Sequence, residues 1–373
     1  MTPALSIWLD LCRVLAALAV FVGHAVYFKL APAAFSLTWH RSADDAVTAF
    51  FVISGLVIAH TTHDRHADPG RYALARLSRV YSVALPAVLL ALAIDLVGMR
   101  LDASHYAPNW QYPQLWFYLP FHWLFLGETW FGAIQPFTMA PYWSLGYEAW
   151  YYLLFGAFIF LQGATRWVVA MLLLGLMGPR IALLLPVWCL GVLLYRWLGA
   201  LRLGPGVARA GMALAVVGYA LFIAAGWRNA TDRASLSLYA WFSDIARTPF
   251  DPGSTVHVLS DYVVALLFAL FVVGCARSGW TFSPRVTRGI RWLAGYTFSF
   301  YLIHFTLLVF ARALGFGPAG WAQFAGVLAG VLVVTWLLGQ VGEQRRGWYQ
   351  LCLLWLWAHR PGAARRRDPA APS

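Results

Sequence analysis

The stretch LSIWLDLCRVLAALAVFVGHAVY, at residues 5–27, is apolar over almost its whole length. A helix of about twenty apolar residues is long enough to cross the hydrocarbon core of a bilayer. Similar stretches follow one another as far as Leu338, and the interruptions between them are short. The chain is 61% hydrophobic and only 11% charged, whereas a soluble domain carries about 25% charged residues. We therefore predict an all-α, polytopic membrane helix bundle.

The apolar pattern predicts about ten membrane-spanning helices. They are placed near 5–27, 45–62, 80–98, 143–161, 165–179, 181–197, 208–226, 258–276, 292–312 and 320–340. A further apolar segment at 115–127 is short and is flanked or broken by Pro113 and Pro120. This segment is predicted to be re-entrant or interfacial.

The net charge of +12 comes almost entirely from arginine. With ten spans and a cytoplasmic N-terminus, most arginines fall in cytoplasmic segments, as the positive-inside rule requires. We therefore expect a multi-pass protein of the inner or plasma membrane with both termini in the cytoplasm. The charge is read as topology and contact with anionic lipids, and not as a nucleic-acid interface. The four cysteines have no paired spacing and are read as small core residues.

Helix 1 carries three ionisable residues, Asp10, Arg13 and His24. Such residues are costly inside a bilayer and are functional candidates by default. Arg13 and His24 lie near one face of the helix but about 16 Å apart along its axis, so they mark two depths of one polar stripe. Asp10 is one turn from Arg13 and is placed to pair with it. The alternative is that Asp10 and Arg13 anchor the interface and His24 is a core histidine.

Five segments, taken in order, resemble the acyltransferase-3 family of membrane acyltransferases. They are WLDLCRVLAALAVFVGHA at 8–25, FFVISGLVIA at 50–59, ARLSRVY at 75–81, YWSLGYEAWYYLL at 142–154 and GYTFSFYLIH at 295–304. The family's hallmark is an arginine, ten residues and a histidine, matched here by Arg13 and His24. Leu11 and Cys12 depart from the family's usual Gly-Leu, and Ser82 stands where proline is common.

The resemblance places an acyltransferase-3 transmembrane domain at 1–342, without a fused hydrolase domain. The remaining residues, 343–373, are predicted to form an interfacial helix and a basic, disordered cytoplasmic tail. The resemblance implies an O-acyltransferase that moves an acyl group, by analogy acetyl, from cytoplasmic acyl-CoA to a hydroxyl of an envelope or exported polysaccharide or other glycan. The expected partners are acyl-CoA, a carbohydrate or other hydroxyl acceptor and the bilayer. No metal and no nucleic acid are expected.

The resemblance also assigns roles to residues. His24 is the general base or the transient acyl carrier, and Arg13 binds the CoA end or sets the electrostatics of the cavity. Arg76 and Arg79 match the arginine-two-residues-arginine motif and are predicted to bind the phosphates of CoA. We expect them in the first turn of a helix, whose free N–H groups also suit phosphate. Without the resemblance, the same arginines are read as positive-inside anchors.

The remaining site candidates lie on two later helices. Glu148 is predicted to orient or charge-stabilise His24, or else to pair with an arginine. Ser144 lies one turn from Glu148, and Tyr301 and His304 share a face of their helix. Together with Asp10, these three are assigned to the substrate cavity, although His304 is also compatible with a purely structural role.

Two other interpretations come from the same residues. A secondary transporter is the alternative function, with Asp95, Glu148 and His24 as a proton relay. The chain shows no internal repeat and no matching pair of broken helices, which would favour transport. The run His60, His63 and His66 has metal-binding residue types, but its spacing does not keep all three on one helix face.

Overall fold

A computed structural model describes residues 1–32, 34–35, 38–63, 68–106, 114–130, 132–317 and 320–359. These residues contain thirteen α-helices and no strand. The helices are α1 (Pro3–Tyr27), α2 (Thr38–His63), α3 (Pro69–Leu101), α4 (Leu115–Trp123), α5 (Tyr142–Phe160), α6 (Gly163–Ala200), α7 (Pro205–Ala224), α8 (Trp227–Ala246), α9 (Val258–Arg277), α10 (Pro284–Ala294), α11 (Thr297–Ala313), α12 (Trp321–Val341) and α13 (Arg346–Ala358). The predicted polytopic helical bundle is confirmed.

Seven helical stretches are long and apolar enough to cross a membrane, and an eighth is obtained if α10 and α11, bent by 50°, count as one. All ten predicted spans fall on helices. The number of crossings and the side of the membrane on which the termini lie stay predictions. We call the end of the bundle where α1 and α3 begin the inner end, and the end where α2 and α9 begin the outer end.

α6 folds back on itself. Trp167 packs against Phe158 of α5, and Trp188 packs against Phe155 of the same helix. Twenty-one residues of continuous helix would separate the two tryptophans by about 31 Å, whereas their partners are about 4.5 Å apart. The chain must therefore reverse between them, and it does so at Gly178, whose backbone is not helical (φ 79°, ψ 176°). This agrees with the prediction of two spans, 165–179 and 181–197.

Helix starts differ from the predicted ones where a cap residue precedes proline. Asp68 caps α3 by accepting a bond from the Arg71 N–H at 2.9 Å, so the helix begins at Pro69 and not near residue 80. Ser283 caps α10 in the same way. α10 is a separate helix, so the span predicted at 292–312 begins at Thr297. Proline suits the first helical turn because its missing N–H has no intrahelical partner there.

The segment predicted to be re-entrant or interfacial is bonded to two helices of the bundle. Tyr81 of α3 donates a hydrogen bond to the Trp123 carbonyl at 3.0 Å, and the Trp150 indole donates to the Phe125 carbonyl at 3.1 Å. Trp150 lies eight residues into α5, about 12 Å from the start of that helix. Side chains of the spans thus satisfy non-helical backbone that lies well inside the bundle.

α8 was not predicted, because its sequence WRNATDRASLSLYAWFSDIA is too polar for a span. It is held at the outer end by buried polar contacts. Arg228 forms an ion pair with Asp45 of α2 at 2.6 Å, and Asp232 accepts a bond from Ser260 of α9 at 2.6 Å. The helix therefore packs through polar groups, which a search for apolar stretches does not detect.

α2 and the second half of α6 cross with their backbones in contact. A Cβ atom added at Gly55 would lie 2.0 Å from the Trp188 carbonyl oxygen, and one at Gly191 would lie 2.1 Å from the Val52 oxygen. Neither site tolerates a side chain, because the obstructing atoms are backbone. Small residues commonly allow this close approach between membrane helices.

Gly55→Ala or Gly191→Ala is expected to destabilise the bundle by about 1–3 kcal/mol, the usual cost of overpacking. The measurement is the thermal unfolding midpoint of the purified protein in detergent. Gly199→Ala is the matched control. Gly199 lies in α6, as Gly191 does, and its added methyl group would have no other atom within 4 Å. Equal midpoints for the Gly55 and Gly199 variants would show that the helices are farther apart than described.

Candidate functional site

Two cavities lie one behind the other along α1. The inner cavity, of about 70 Å³, is lined by side chains that include Arg13, Ser54, Arg79, Ser144, Glu148 and Tyr301. The histidine cavity, of about 110 Å³ and nearer the outer end, is lined by residues that include His24, Asp44, Gln135, Trp143, Ser254 and Tyr301. Tyr301 and Val47 line both cavities. The polar stripe predicted on α1 therefore faces two adjoining spaces at two depths.

Glu148 is the carboxylate of the inner cavity. It accepts short hydrogen bonds from Ser54 of α2 and from Tyr152, one turn further along α5. The Trp188 indole donates to the Ser54 hydroxyl at 3.2 Å. These contacts fix Glu148 opposite the two arginines of the cavity, where it offsets part of their charge.

Arg13 lies between an acidic neighbour on its own helix and the inner cavity. Its guanidinium donates to Asp10 at 3.3 Å, which confirms the predicted pair. Arg79 reaches the same cavity from α3 and lies over the Phe298 ring. Two guanidinium groups thus face one space that holds a single carboxylate among its lining residues. Guanidinium groups that face a space can bind an anionic ligand through charge-assisted hydrogen bonds.

The expected position of Arg76 and Arg79 in a first helical turn is wrong. Because α3 begins at Pro69, both lie in the helix interior, where the backbone N–H groups are already bonded. Arg76 donates to the Thr61 hydroxyl at 3.1 Å and lies over the Tyr152 ring. In the described part of the chain the buried Nε of each arginine has no hydrogen-bond partner. The guanidinium groups of Arg76 and Arg79, and not the N–H groups at the start of the helix, are therefore the hydrogen-bond donors available to a ligand.

His24 and His304 form a hydrogen-bonded pair. His24 Nδ1 is 2.8 Å from His304 Nε2, and the rings are stacked with centroids 5.1 Å apart. His304 is fully buried, and its Nδ1 lies 2.7 Å from the Tyr301 carbonyl oxygen. A carbonyl only accepts, so His304 Nδ1 carries the hydrogen and the Nε2 of the neutral ring accepts from His24 Nδ1–H. The Nε2 of His24 is then the unprotonated nitrogen, as a base or nucleophile requires.

Ser144 and Tyr301 stand between the two cavities. The hydroxyls of Ser144 and Tyr301 lie 2.8 Å apart, and Ser144 also donates to the Pro141 carbonyl at 3.1 Å. Tyr301 therefore donates to Ser144. The pair joins α5 to α11 at the depth where the inner cavity meets the histidine cavity.

The family model described as an acyltransferase domain matches residues 6–340 of the chain. The chain belongs to the acyltransferase-3 family. No curated protein and no solved structure matches it. The match covers nearly the whole bundle, so the resemblance in the five segments is confirmed and the protein is a membrane acyltransferase.

The acyltransferase-3 motifs meet at these cavities. His304 lies at hydrogen-bond distance from His24 Nδ1, whereas the described bonds of Glu148 go to Ser54 and Tyr152, so the orienting role of Glu148 stays a prediction. Asp10 pairs with Arg13 and is not among the lining residues of the inner cavity. Ser144 and Tyr301 do line it.

The transporter candidate Asp95 is fully buried and accepts bonds from the Thr138 N–H at 2.9 Å and the Thr138 hydroxyl at 2.8 Å. These bonds hold the chain that leads into α5 against α3. Of the histidine run, His60 packs against Tyr195, His66 lies outside the described residues and the His63 side chain is not described.

Three polar residues at or beside the inner cavity were missed from the sequence: Ser54 lines it, Tyr152 bonds Glu148, and Glu343 interacts electrostatically with Arg79 and Arg13. Ser54 and Tyr152 are uncharged, and nothing in their spacing singles them out. Glu343, just after α12, accepts bonds from the Ser299 N–H and hydroxyl at 3.2 Å. The sequence places Glu343 in the predicted C-terminal segment 343–373, although a carboxylate at the end of an apolar stretch is itself a sign of a functional residue.

His304→Phe keeps the stacked ring but removes the acceptor for His24 Nδ1–H. We expect about a 10²-fold loss of acyl transfer, the lower range for general-base catalysis, and a loss of the single His24 tautomer in ¹⁵N-histidine NMR spectra. His122→Phe is the matched control, since His122 is also buried but lies on α4. Full activity in the His304 variant would contradict the pairing.

Proposed function

We propose that the protein moves an acetyl group from acetyl-CoA at the inner end to a hydroxyl of an envelope or exported glycan at the outer end. The observation that carries the proposal is the sharing of Tyr301 and Val47 by the two cavities. An arginine-lined space suited to an anionic donor thereby adjoins a space that contains the candidate base. Cytoplasmic acetyl-CoA and an outward-placed His24 together imply transfer across the membrane.

The donor is assigned to the arginines because CoA carries phosphate groups. Arg13, Arg76 and Arg79 reach the inner end of the bundle from two helices, α1 and α3, and the unpartnered Nε groups of Arg76 and Arg79 are available for phosphate oxygens. The inner cavity, at about 70 Å³, is smaller than the ~300–1,000 Å³ of small-molecule sites. Donor binding therefore requires lining side chains to move aside, so that the pantetheine arm can extend towards Tyr301.

The chemistry is assigned to His24. Its Nε2 takes the proton of the acceptor hydroxyl while the oxygen bonds to the thioester carbonyl carbon. The C–S bond then breaks and the proton passes to the leaving CoA thiolate. In the other route, Nε2 itself bonds to the acyl carbon and the C–S bond breaks to release the CoA thiolate. The acceptor oxygen then takes the acyl group from the ring, and its proton passes to Nε2 and from there to the thiolate. Both routes need the tautomer that His304 imposes.

A proton-coupled transporter is the weaker candidate. It needs Asp95, Glu148 and His24 in one relay. Their described bonds lead to different partners: Asp95 to Thr138, Glu148 to Ser54 and Tyr152, and His24 to His304. The family of the chain also favours the enzyme.

Arg76→Gln and Arg79→Gln are expected to weaken acetyl-CoA binding by about 10–100-fold each, since a hydrogen bond to a charged group contributes about 1.5–3 kcal/mol. The measurement is calorimetric titration of the purified protein with acetyl-CoA. Arg71→Gln is the control, because Arg71 lies on the same helix but is exposed. An unchanged Kd for acetyl-CoA in both variants would show that α3 does not bind the donor.

His24→Ala is expected to abolish acylation of surface glycans in a deletion strain. Among the described lining residues of the histidine cavity, His24 is the only histidine. The readout is mass analysis of the glycans, with His105→Ala, a half-buried histidine of the turn after α3, as the control. Acylation restored by His24→Ala to the wild-type level would exclude His24 from the mechanism.

A further inference from the structure

A second histidine lines a cavity that adjoins the histidine cavity at the outer end. This space measures about 190 Å³ and is lined by residues that include Asp44, Thr48, Trp143, Ser254, His257 and Asp261. Four of its lining residues also line the histidine cavity: Asp44, Val47, Trp143 and Ser254. We name the space the outer cavity. His24 and His257 therefore line neighbouring spaces that share a wall.

His257 is paired with a buried carboxylate. Its Nδ1 lies 3.1 Å from Oδ1 of Asp232, which is 6% exposed. A carboxylate only accepts, so Nδ1 carries the hydrogen and Nε2 of the neutral ring is the basic nitrogen. A histidine whose ring is oriented by a third group is the usual form of a general base.

The pair lies where α8 meets the start of α9. Ser260 of α9 donates to the same oxygen of Asp232 at 2.6 Å, and its hydroxyl lies 2.6 Å from that of Thr231 on α8. These bonds hold the Asp232 carboxylate in place beside His257. The polar helix α8 thus supplies the partner of a histidine that lines the outer cavity.

We propose that His257 is the general base of the second half of the reaction, and that Asp232 is the residue that positions it. The inference rests on the proposed function and selects its second route, in which His24 carries the acyl group. It adds a catalytic residue on the acceptor side. This residue lies outside the five segments that resemble the family.

An acyl group on His24 leaves the acceptor hydroxyl in need of another base. The lone pair of His24 Nε2 is then used in the bond to the acyl carbon, while Nδ1 carries the hydrogen directed at His304. His24 is the only histidine among the described lining residues of its cavity. The adjoining outer cavity supplies a second ring nitrogen, on His257.

The reaction then has two steps. In the first, Nε2 of His24 bonds to the acyl carbon and the C–S bond breaks, which leaves the acylated ring positively charged, and the CoA thiolate takes a proton from the inner solvent. In the second, the acceptor oxygen bonds to the acyl carbon, and its proton passes to Nε2 of His257 instead of His24. The electron pair of the breaking C–N bond returns to His24. The side chain of His257 is 25% exposed, so its proton can leave at the outer end.

Two carboxylates, Asp44 and Asp261, line the same outer cavity and are the competing bases. Histidine is the residue that most often serves as a general base. His257 also has a carboxylate partner, Asp232, which stabilises the imidazolium that forms when the ring takes a proton. We therefore assign the proton transfer to His257.

The test separates the two steps with ¹⁴C-labelled acetyl-CoA and with water as the probe acceptor. The full chain in nanodiscs is incubated with the labelled donor, the excess is removed, and the loss of protein-bound label is followed. His257→Gln should take up label as the unaltered chain does but lose it about 10²-fold more slowly, within the range for general-base catalysis. His24→Ala should take up no label.

Asp232→Asn keeps the shape of the side chain and should slow the loss of label by about tenfold or more, with uptake unchanged. A purely structural role for Asp232 would change both steps together. In a deletion strain, acylation of surface glycans should fall with His257→Gln by a factor similar to the slowing of label loss. His105→Gln is the matched control, because His105 is a half-buried histidine of the turn after α3.

Three results would overturn the inference: loss of label from the His257 variant at the unaltered rate, no uptake of label by that variant despite an unchanged Kd for acetyl-CoA, or slowed loss only in Asp44→Asn or Asp261→Asn. Asp232→Asn provides the same comparison if His257→Gln does not fold. An unaltered chain that acylates glycans without ever carrying label would also overturn it, because His24 would not be the carrier. Absence of acetyl-CoA binding to the unaltered chain would instead overturn the proposed function, so the two failures are distinguishable.

Discussion

A polar group placed inside an apolar bundle must find its partner within the protein, and this constraint organises the structure. Glu148 is surrounded by Ser54, Tyr152 and the arginines that face it. The carbonyls of the re-entrant segment are bonded by Tyr81 and Trp150. In each case a side chain from a different helix supplies the partner. The same bonds therefore hold the helices together and fix the positions of the chemical groups.

The constraint also explains which polar groups are fully bonded and which are not. Asp95 uses both carboxylate oxygens on Thr138, so this residue holds the architecture at the outer end. Arg76 and Arg79 retain buried Nε groups without partners. An unsatisfied buried donor is costly unless a ligand completes it.

The two histidines show how a buried framework prepares a reactive group. His304 is completely enclosed and anchored to the backbone of its own helix, whereas His24 is half-buried and faces a cavity. The direction of the hydrogen bonds runs from His24 to His304 to the Tyr301 carbonyl. The Tyr301 carbonyl thus decides which nitrogen of His24 is unprotonated, because it fixes the hydrogen on His304, which bonds to His24. A single helix cannot supply this arrangement.

The sequence by itself determined the membrane class, the all-helical architecture and the family, because apolar length and motif order are local properties of the chain. It also paired Asp10 with Arg13, which are one turn apart. It misplaced the start of α3 because the Asp68–Pro69 cap was not used, and it missed α8 because that helix packs through polar contacts. Only the tertiary structure decided that His24 bonds to His304 while Glu148 bonds to Ser54 and Tyr152, and that two cavities adjoin along α1. These contacts join residues up to 280 positions apart, so their partners depend on how the helices pack, which no local pattern records.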